Sequence, residues 1–164
     1  MADGSEKKMI FLNAYVIGAL VFVAILAILF IAKPLSFFHV RGSSMNPTLH
    51  DNDLVLCLNT KKIDYGDIVA FKHDNNSMIK RVIGKPGDEI NMDSSGNVYR
   101  NGKLLEEEYV RMKSLGGIEI KLPYIVPENS YFVLGDNRVD SLDSRLYTIG
   151  CIKEKDIVGK ILFK

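Results

Sequence analysis

From Met9 to Ala32 the chain carries no charged side chain, and Asn13 is the only strongly polar residue in the run. As a helix, a stretch of that length rises about 36 Å, enough to cross a hydrocarbon layer of roughly 30 Å with some tilt. A cleavable export signal would have a shorter apolar region of about 7 to 15 residues, followed by small residues at −3 and −1 of a cut site. The small residues Ala14, Gly18, Ala19, Ala24, Ala27, Ala32 and Ser36 are never spaced two apart, so the run offers no such site. Burial as a core helix would need a large protein around it, and too little chain follows. Residues 9–32 are therefore expected to be a retained transmembrane helix. Lys7 and Lys8 precede it, against Lys33 and Arg41 soon after. This bias mildly favours residues 1–8 in the cytoplasm and residues 33–164 on the far side.

Past Pro34 the helical signal stops, and short runs rich in Val, Ile, Phe and Tyr alternate with turn residues, the pattern of a mainly β domain. Strands are expected at 37–41, 53–58, 67–72, 78–84, 131–134 and 157–163. Asn101-Gly102, between Val98-Tyr99 and Leu104-Leu105, predicts a two-residue hairpin turn with positive φ at both positions. Residues 93–97 read as a second, longer turn, and the polar stretch 88–128 as an insertion on the main sheet. After the first eight residues the chain has 19 basic and 18 acidic side chains, so it has no basic footprint for nucleic acid. Cys57 and Cys151 are too few for a disulfide scaffold and have no partner at zinc-ligand spacing. Cys57 sits in the apolar run 54–58 and reads as a core residue. A bridge to Cys151 stays open.

Three segments bear chemistry. In Gly42-Ser43-Ser44-Met45-Asn46-Pro47-Thr48-Leu49, small residues lead into a serine and a proline then fixes the chain, so a turn can expose a hydroxyl beside a free N–H. Met78 to Asp88 is a strand that ends in a Pro-Gly turn. Alternation along it lets Lys80 point inward while Arg81 stays in water. Gly135 to Arg145 is dense in polar groups directly after an apolar strand. Taken singly, these read as a turn, an edge strand with two surface cations, and a solvated loop.

Together and in this order, with Gly66 to Phe71 between the first two, they resemble the bacterial type I signal peptidases. The likeness runs from the uncharged segment to Gly159, and its most specific parts are Ser44-Met45-x-Pro47-Thr48-Leu49 and Gly135 to Arg145. It implies a signal-peptidase-like β catalytic core with one N-terminal transmembrane helix, on the extracytoplasmic side of the cell membrane. That core would remove signal peptides from exported preproteins without a metal or cofactor. Carried over residue by residue, it implies Ser44 as nucleophile, Lys80 as general base and Ser141 as the group that orients the lysine. Asp143 and Arg145 would form a structural ion pair near the site, with Asp136, Asn137 and Arg138 as scaffold. Phe38, Gly42, Met45, Met78 and Ile79 would contact substrate. Some relatives carry a hydroxyl residue where this chain has Gly42, two positions before the nucleophile, and use it to hold the oxyanion. Here the Ser44 N–H can be one donor, and the second would come from Ser43 or another N–H.

A serine hydroxyl needs a base beside it to attack a peptide carbonyl, and lysine serves only when neutral. Its amine would have to fall from about 10.4 to about 8 to be half neutral at pH 8, about 3.3 kcal/mol of differential solvation. Met45, Met78 and Val82 could supply that desolvation. His39, His50 and His73 read as bystanders. The Ser-x-x-Lys spacing of β-lactamases is absent, since Pro47 stands three residues after Ser44. An extended peptide with small side chains at −3 and −1 would add as a strand beside the serine and lysine segments. The competing readings are a self-cleaving Ser-Lys protease of the repressor-peptidase kind and a catalytically inactive anchored module of the export pathway. The membrane run argues against the first, the presence of both Ser44 and Lys80 against the second.

Overall fold

The computed structural model describes residues 3–32 and 35–163, with side chains for 13–29 and 35–162. Lys33, Pro34 and Lys164 lie outside the described residues, as do the side chains of Lys7 and Lys8. The chain divides into two compact units, residues 1–34 and 35–164. The first is a single helix, α1 (Asp3–Ala32). Its described side chains, 13–29, are all exposed. Among the described residues no helix is long and apolar enough to cross a membrane.

The second unit is mainly β, as the sequence predicts. Its strands are β1 (Leu35–His39), β2 (Leu54–Leu58), β3 (Ile68–His73), β4 (Asn76–Gly84), β5 (Glu89–Met92), β6 (Val98–Arg100), β7 (Lys103–Leu104), β8 (Tyr124–Ile125), β9 (Ser130–Leu134), β10 (Ile152–Lys153) and β11 (Ile157–Phe163). A one-turn 3₁₀ helix, Glu154–Asp156, joins the last two. The large sheet has seven strands in the order β1-β2-β11-β3-β4-β9-β10. A smaller sheet, β7-β6-β5-β8, is built from residues between β4 and β9. The β6–β7 hairpin turns on Asn101 and Gly102, with φ of 52° and 74°, the left-handed pair such a turn requires.

Alternation along the strands explains where the core sits. Val69 and Phe71 on β3, Val82 on β4, and Tyr131 and Val133 on β9 face one side, where they pack with Ile63, Ile152 and Ile157. Phe132 and Leu134 face the other side and meet Ile83, Ile90, Met92 and Val98 beneath the small sheet. All five residues of β9 are therefore buried, and each large side chain taken from water contributes roughly 1.5–3 kcal/mol. A third cluster, Val40, Met45, Leu49 and Val55, closes the end of the sheet near β1 and β2. Cys57 is buried, Cys151 partly so, and both are free thiols.

One expectation is overturned. Arg81 does not stay in water, since its side chain is only 11% exposed and pairs with Asp136. The alternation itself holds: Lys80 and Arg81 point to opposite faces. The face of Arg81 is covered, because Tyr109, between β7 and β8, lies against its guanidinium, 4.0 Å from carbon to ring centre.

The close approach of β2 and β11 depends on Gly159. A Cβ there would collide with the Leu58 carbonyl oxygen and come within 2.9 Å of Asn59 Cα, both backbone atoms that cannot swing aside. Overpacking of this kind costs about 1–3 kcal/mol, so Gly159→Ala should lower the melting midpoint by roughly 3–10 °C. Gly117→Ala, whose Cβ would only touch Leu146 at 3.7 Å, is the control and should leave the midpoint nearly unchanged. Near-UV circular dichroism melts of the detergent-solubilised chain would check both.

Candidate active site

The turn that presents Ser44 is anchored from both ends. Gly42 takes φ of +82°, where a side chain would be strained, and its N–H donates to Asp51 Oδ1 at 2.7 Å. The Asn46 N–H closes a turn onto the Ser43 carbonyl at 3.0 Å. Met45 is buried among Val40, Leu49 and Val55, so the residue before it is left at the surface of the core with its hydroxyl free to face outward.

Lys80 approaches from β4. Its Nζ donates to Ser44 Oγ at 2.8 Å and to the Ile79 carbonyl at 3.0 Å. The residue is only 3% exposed. Burial disfavours the cation and pulls the amine down to about 8, although the carboxylates of Asp143 and Asp136 act in the opposite sense. A buried amine that loses its proton near neutrality, in contact with a serine hydroxyl, can accept the hydroxyl proton.

The segment 135–145 forms the back wall. Asp136 is buried and takes a two-pronged contact from Arg81, Nε at 2.8 Å and Nη2 at 2.6 Å. It also accepts from the Thr48 hydroxyl at 2.5 Å. Arg138 reaches Glu107 with both terminal nitrogens, at 3.0 and 2.6 Å, and donates Nε to the Gly135 carbonyl at 3.0 Å. Asp143 pairs with Arg145 at 2.8 and 2.9 Å and accepts the Gly135 N–H at 3.0 Å. Gly135 itself is constrained by space, because a Cβ would lie 2.5 Å from the Ser44 carbonyl oxygen and clash with the Ser141 hydroxyl. Ser141 thus stands beside the Ser44 backbone, yet its buried Oγ has no hydrogen-bond partner, and Lys80 is not bonded to it.

A cleft of about 360 Å³ opens at Ser44 and Lys80, lined by Phe38, Met45, Met78 and Ile79 together with His39, Val40, Arg41, Asn76, Ser77 and Leu142. Four of the five residues expected to contact substrate are brought together here. Gly42 is not among the lining residues. The Ser43 hydroxyl donates to Asp140 at 2.5 Å and is committed there. Among the described residues no cluster of His, Cys, Asp or Glu is placed to hold a metal ion. Sequence reasoning missed Glu107 and Tyr109, which reach the site from the stretch between β7 and β8. Nothing local marks them, because their roles depend on where the stretch after β7 lies, with Tyr109 against Arg81 and Glu107 on Arg138.

A family model described as signal peptidase, peptidase S26, matches residues 12–164. Signal peptidase I S of Bacillus subtilis is 39% identical over 171 residues, covering 97% of this chain and 90% of the relative. Signal peptidase IB of Staphylococcus aureus is 35% identical over 155 residues, 82% of this chain and 78% of its own. The crystal structure of a signal peptidase I from Enterococcus faecalis superposes with a TM-score of 0.50 at 32% identity, over 62% of this chain and 97% of that one.

The burial of the amine has a measurable cost. The native state holds the Lys80 proton less tightly than the unfolded chain does, so the wild type gains stability as pH rises from about 8 to 10.5. Lys80→Met should be more stable than wild type at pH 7, by up to about 3 kcal/mol. The gap should close across that window. Urea denaturation of both proteins at pH 7 and pH 10 would test it, and a gap that does not shrink would mean the amine is not desolvated.

Proposed function

The chain belongs to the signal peptidase family, peptidase S26, serine endopeptidases that remove signal peptides, and from that premise we propose that it cleaves preproteins with Ser44 as nucleophile and Lys80 as base. The observation that carries this reading is the 2.8 Å contact between Ser44 Oγ and a buried Lys80 amine. Neutral Lys80 takes the hydroxyl proton as Ser44 Oγ bonds to the scissile carbonyl carbon, whose π electrons move onto oxygen. The oxyanion forms beside the Ser44 N–H. Collapse breaks the C–N bond, the lysine proton goes to the departing amine, and an ester to Ser44 remains. Water then adds to that ester with Lys80 again as base, releasing the signal peptide and restoring the hydroxyl.

The peptide has a place to lie. β4 pairs with β3 from Asn76 to Arg81, but β9 joins its other side only from Arg81 onward. Residues 76–80 of β4 therefore keep one free edge, within the cleft and beside Ser44, where an extended peptide can pair by main-chain hydrogen bonds. Phe38, Met45, Met78 and Ile79 then face alternate side chains of the bound strand, and the shallow apolar walls suit small residues at −3 and −1. In this reading Ser141 orients the lysine, and its nearness to the Ser44 backbone at Gly135 supports that role. Asp136, and Asp143 with Arg145, brace the loop.

Membrane attachment rests on the uncharged run 9–32. In this reading it is a single span with residues 1–8 in the cytoplasm, bringing the unit 33–164 to membrane-bound preproteins on the outer face.

Rate should rise with pH as Lys80 becomes neutral, so the acidic limb of kcat/KM should lie near pH 8. Ser44→Ala and Lys80→Ala should each lose cleavage of a preprotein while remaining folded. Lys80→Arg should be inactive from pH 6 to 10, because guanidinium keeps its proton. An active Lys80→Ala enzyme, or a limb near the histidine value of about 6.5, would sink the dyad. Separately, protease added to intact spheroplasts should digest residues 35–164. Digestion only after lysis would reverse the orientation.

A further inference from the structure

We propose that Asn137 is a positioning residue for catalysis: its side-chain amide fixes the peptide plane that carries the Ser44 N–H and so aims that N–H at the oxyanion. The inference rests on Ser44 being the nucleophile.

Asn137 grips both peptide planes that flank Ser44. Its Nδ2 donates to the Ser43 carbonyl at 3.2 Å, and its backbone N–H donates to the Ser44 carbonyl at 3.0 Å. Among the described residues the cis bonds are at Asn46-Pro47 and Leu122-Pro123, and the Ser43-Ser44 peptide is trans. In a trans peptide the carbonyl and the following N–H lie in one plane and point in opposite directions. Holding the Ser43 oxygen toward Asn137 therefore turns the Ser44 N–H away from that residue. Asn137 faces a separate cavity, shared with Asn46 and Asp140, whereas Ser44 lines the catalytic cleft. The two edges of the plane thus serve the two sides of the turn. Among the described residues the Ser44 N–H has no acceptor, as a donor reserved for a developing charge should be.

The neighbouring donors make this alignment matter more. The Gly42 N–H is bound to Asp51 and the Ser43 hydroxyl to Asp140. Neither can turn to the oxyanion without giving up its partner. Loss of the Asn137 amide leaves its backbone bond to Ser44, and the Asn46 N–H still reaches the Ser43 carbonyl. The turn should persist, with the plane freer to rock.

The test uses the full chain in detergent and a fluorogenic peptide with small residues at −3 and −1. Asn137→Ala and the nearly isosteric Asn137→Asp should lower kcat about 10- to 100-fold with KM within about twofold, less than outright loss of an oxyanion donor costs. Melting midpoint and the acidic limb should stay at the wild-type values. A peptide aldehyde gives a second readout, because Ser44 Oγ bonds to its carbon, the hydroxyl proton passes to Lys80, and the carbonyl π pair becomes an oxyanion in the same place. Its affinity should fall by the same factor as kcat/KM, while the matching peptide alcohol binds as before. Wild-type kcat in both variants, a loss carried by KM, or equal weakening of aldehyde and alcohol would overturn the proposal. Unfolding of both variants would do the same, by making Asn137 a residue of the fold. A Ser44→Ala control that cleaved like wild type would instead remove the nucleophile assignment beneath it.

Discussion

The ion pair between Arg81 and Asp136 ties together the three stretches of chain on which the site depends. Arg81 follows Lys80 on β4, Asp136 follows Gly135 in the back wall, and Thr48, four residues past Ser44, donates to the same carboxylate. Fixing one carboxylate thus fixes the serine turn, the lysine strand and the loop against each other. A buried pair is poor evidence for net stability, since desolvation offsets most of its attraction, but removing one partner typically costs about 3–5 kcal/mol. What the pair does show is a geometric link: three segments meet at one buried carboxylate. The stretch between β7 and β8 takes part too, with Tyr109 on the Arg81 guanidinium and Glu107 on Arg138.

The same pairing bears on the charge of Lys80. Asp136 and Asp143 both sit close enough to favour the ammonium form of Lys80, yet burial outweighs them and the amine falls to about 8. Each carboxylate already faces an arginine through two hydrogen bonds, and a neutralised pair exerts a weaker field on a third charge than a lone carboxylate would. An unpaired aspartate at either position would push the amine back toward the value of a free lysine. Arg81 and Arg145 thus act on the amine indirectly, by limiting how far two carboxylates can undo its desolvation.

Much of this was readable from the chain because the signals are local. Six expected strands correspond to β1, β2, β3, β4, β9 and β11 within a few residues at each end, and Asn101-Gly102 makes the hairpin its composition demands. Ser44 and Lys80 were singled out by motif, and alternation on β4 places Lys80 and Arg81 on opposite faces. The reading failed where a second element decides the outcome. Arg81 looked like a solvated cation because nothing in Met78 to Asp88 reveals that Tyr109 will cover it. Glu107 and Tyr109 were invisible for the same reason. The cover over a strand face is a property of topology, and single-chain periodicity reports only which face a residue is on. Gly42, expected from its motif position to contact substrate, has its N–H turned to Asp51, a partner nine residues on that the motif itself does not reveal.

Gly135 is where fold and site become one constraint. β9 stops pairing with β4 after Leu134, opposite Arg81, and the next residue must pass so close to the Ser44 carbonyl that no Cβ fits. Had β9 continued, its residues would have covered residues 76–80 of β4, and the loop that reaches Ser43 and Ser44 through Asn137 and Asp140 would not exist. Ending the strand there leaves an unpaired edge, ordinarily a hazard because any extended chain can add to it. Here the edge is short and recessed in a cleft with the serine and lysine at its end. A chain that adds to it in extended form would be carried past Ser44 in register. The open edge beside Ser44 and the tight passage at Gly135 are thus one geometric fact, since β9 ends where a residue without room for a side chain begins the loop.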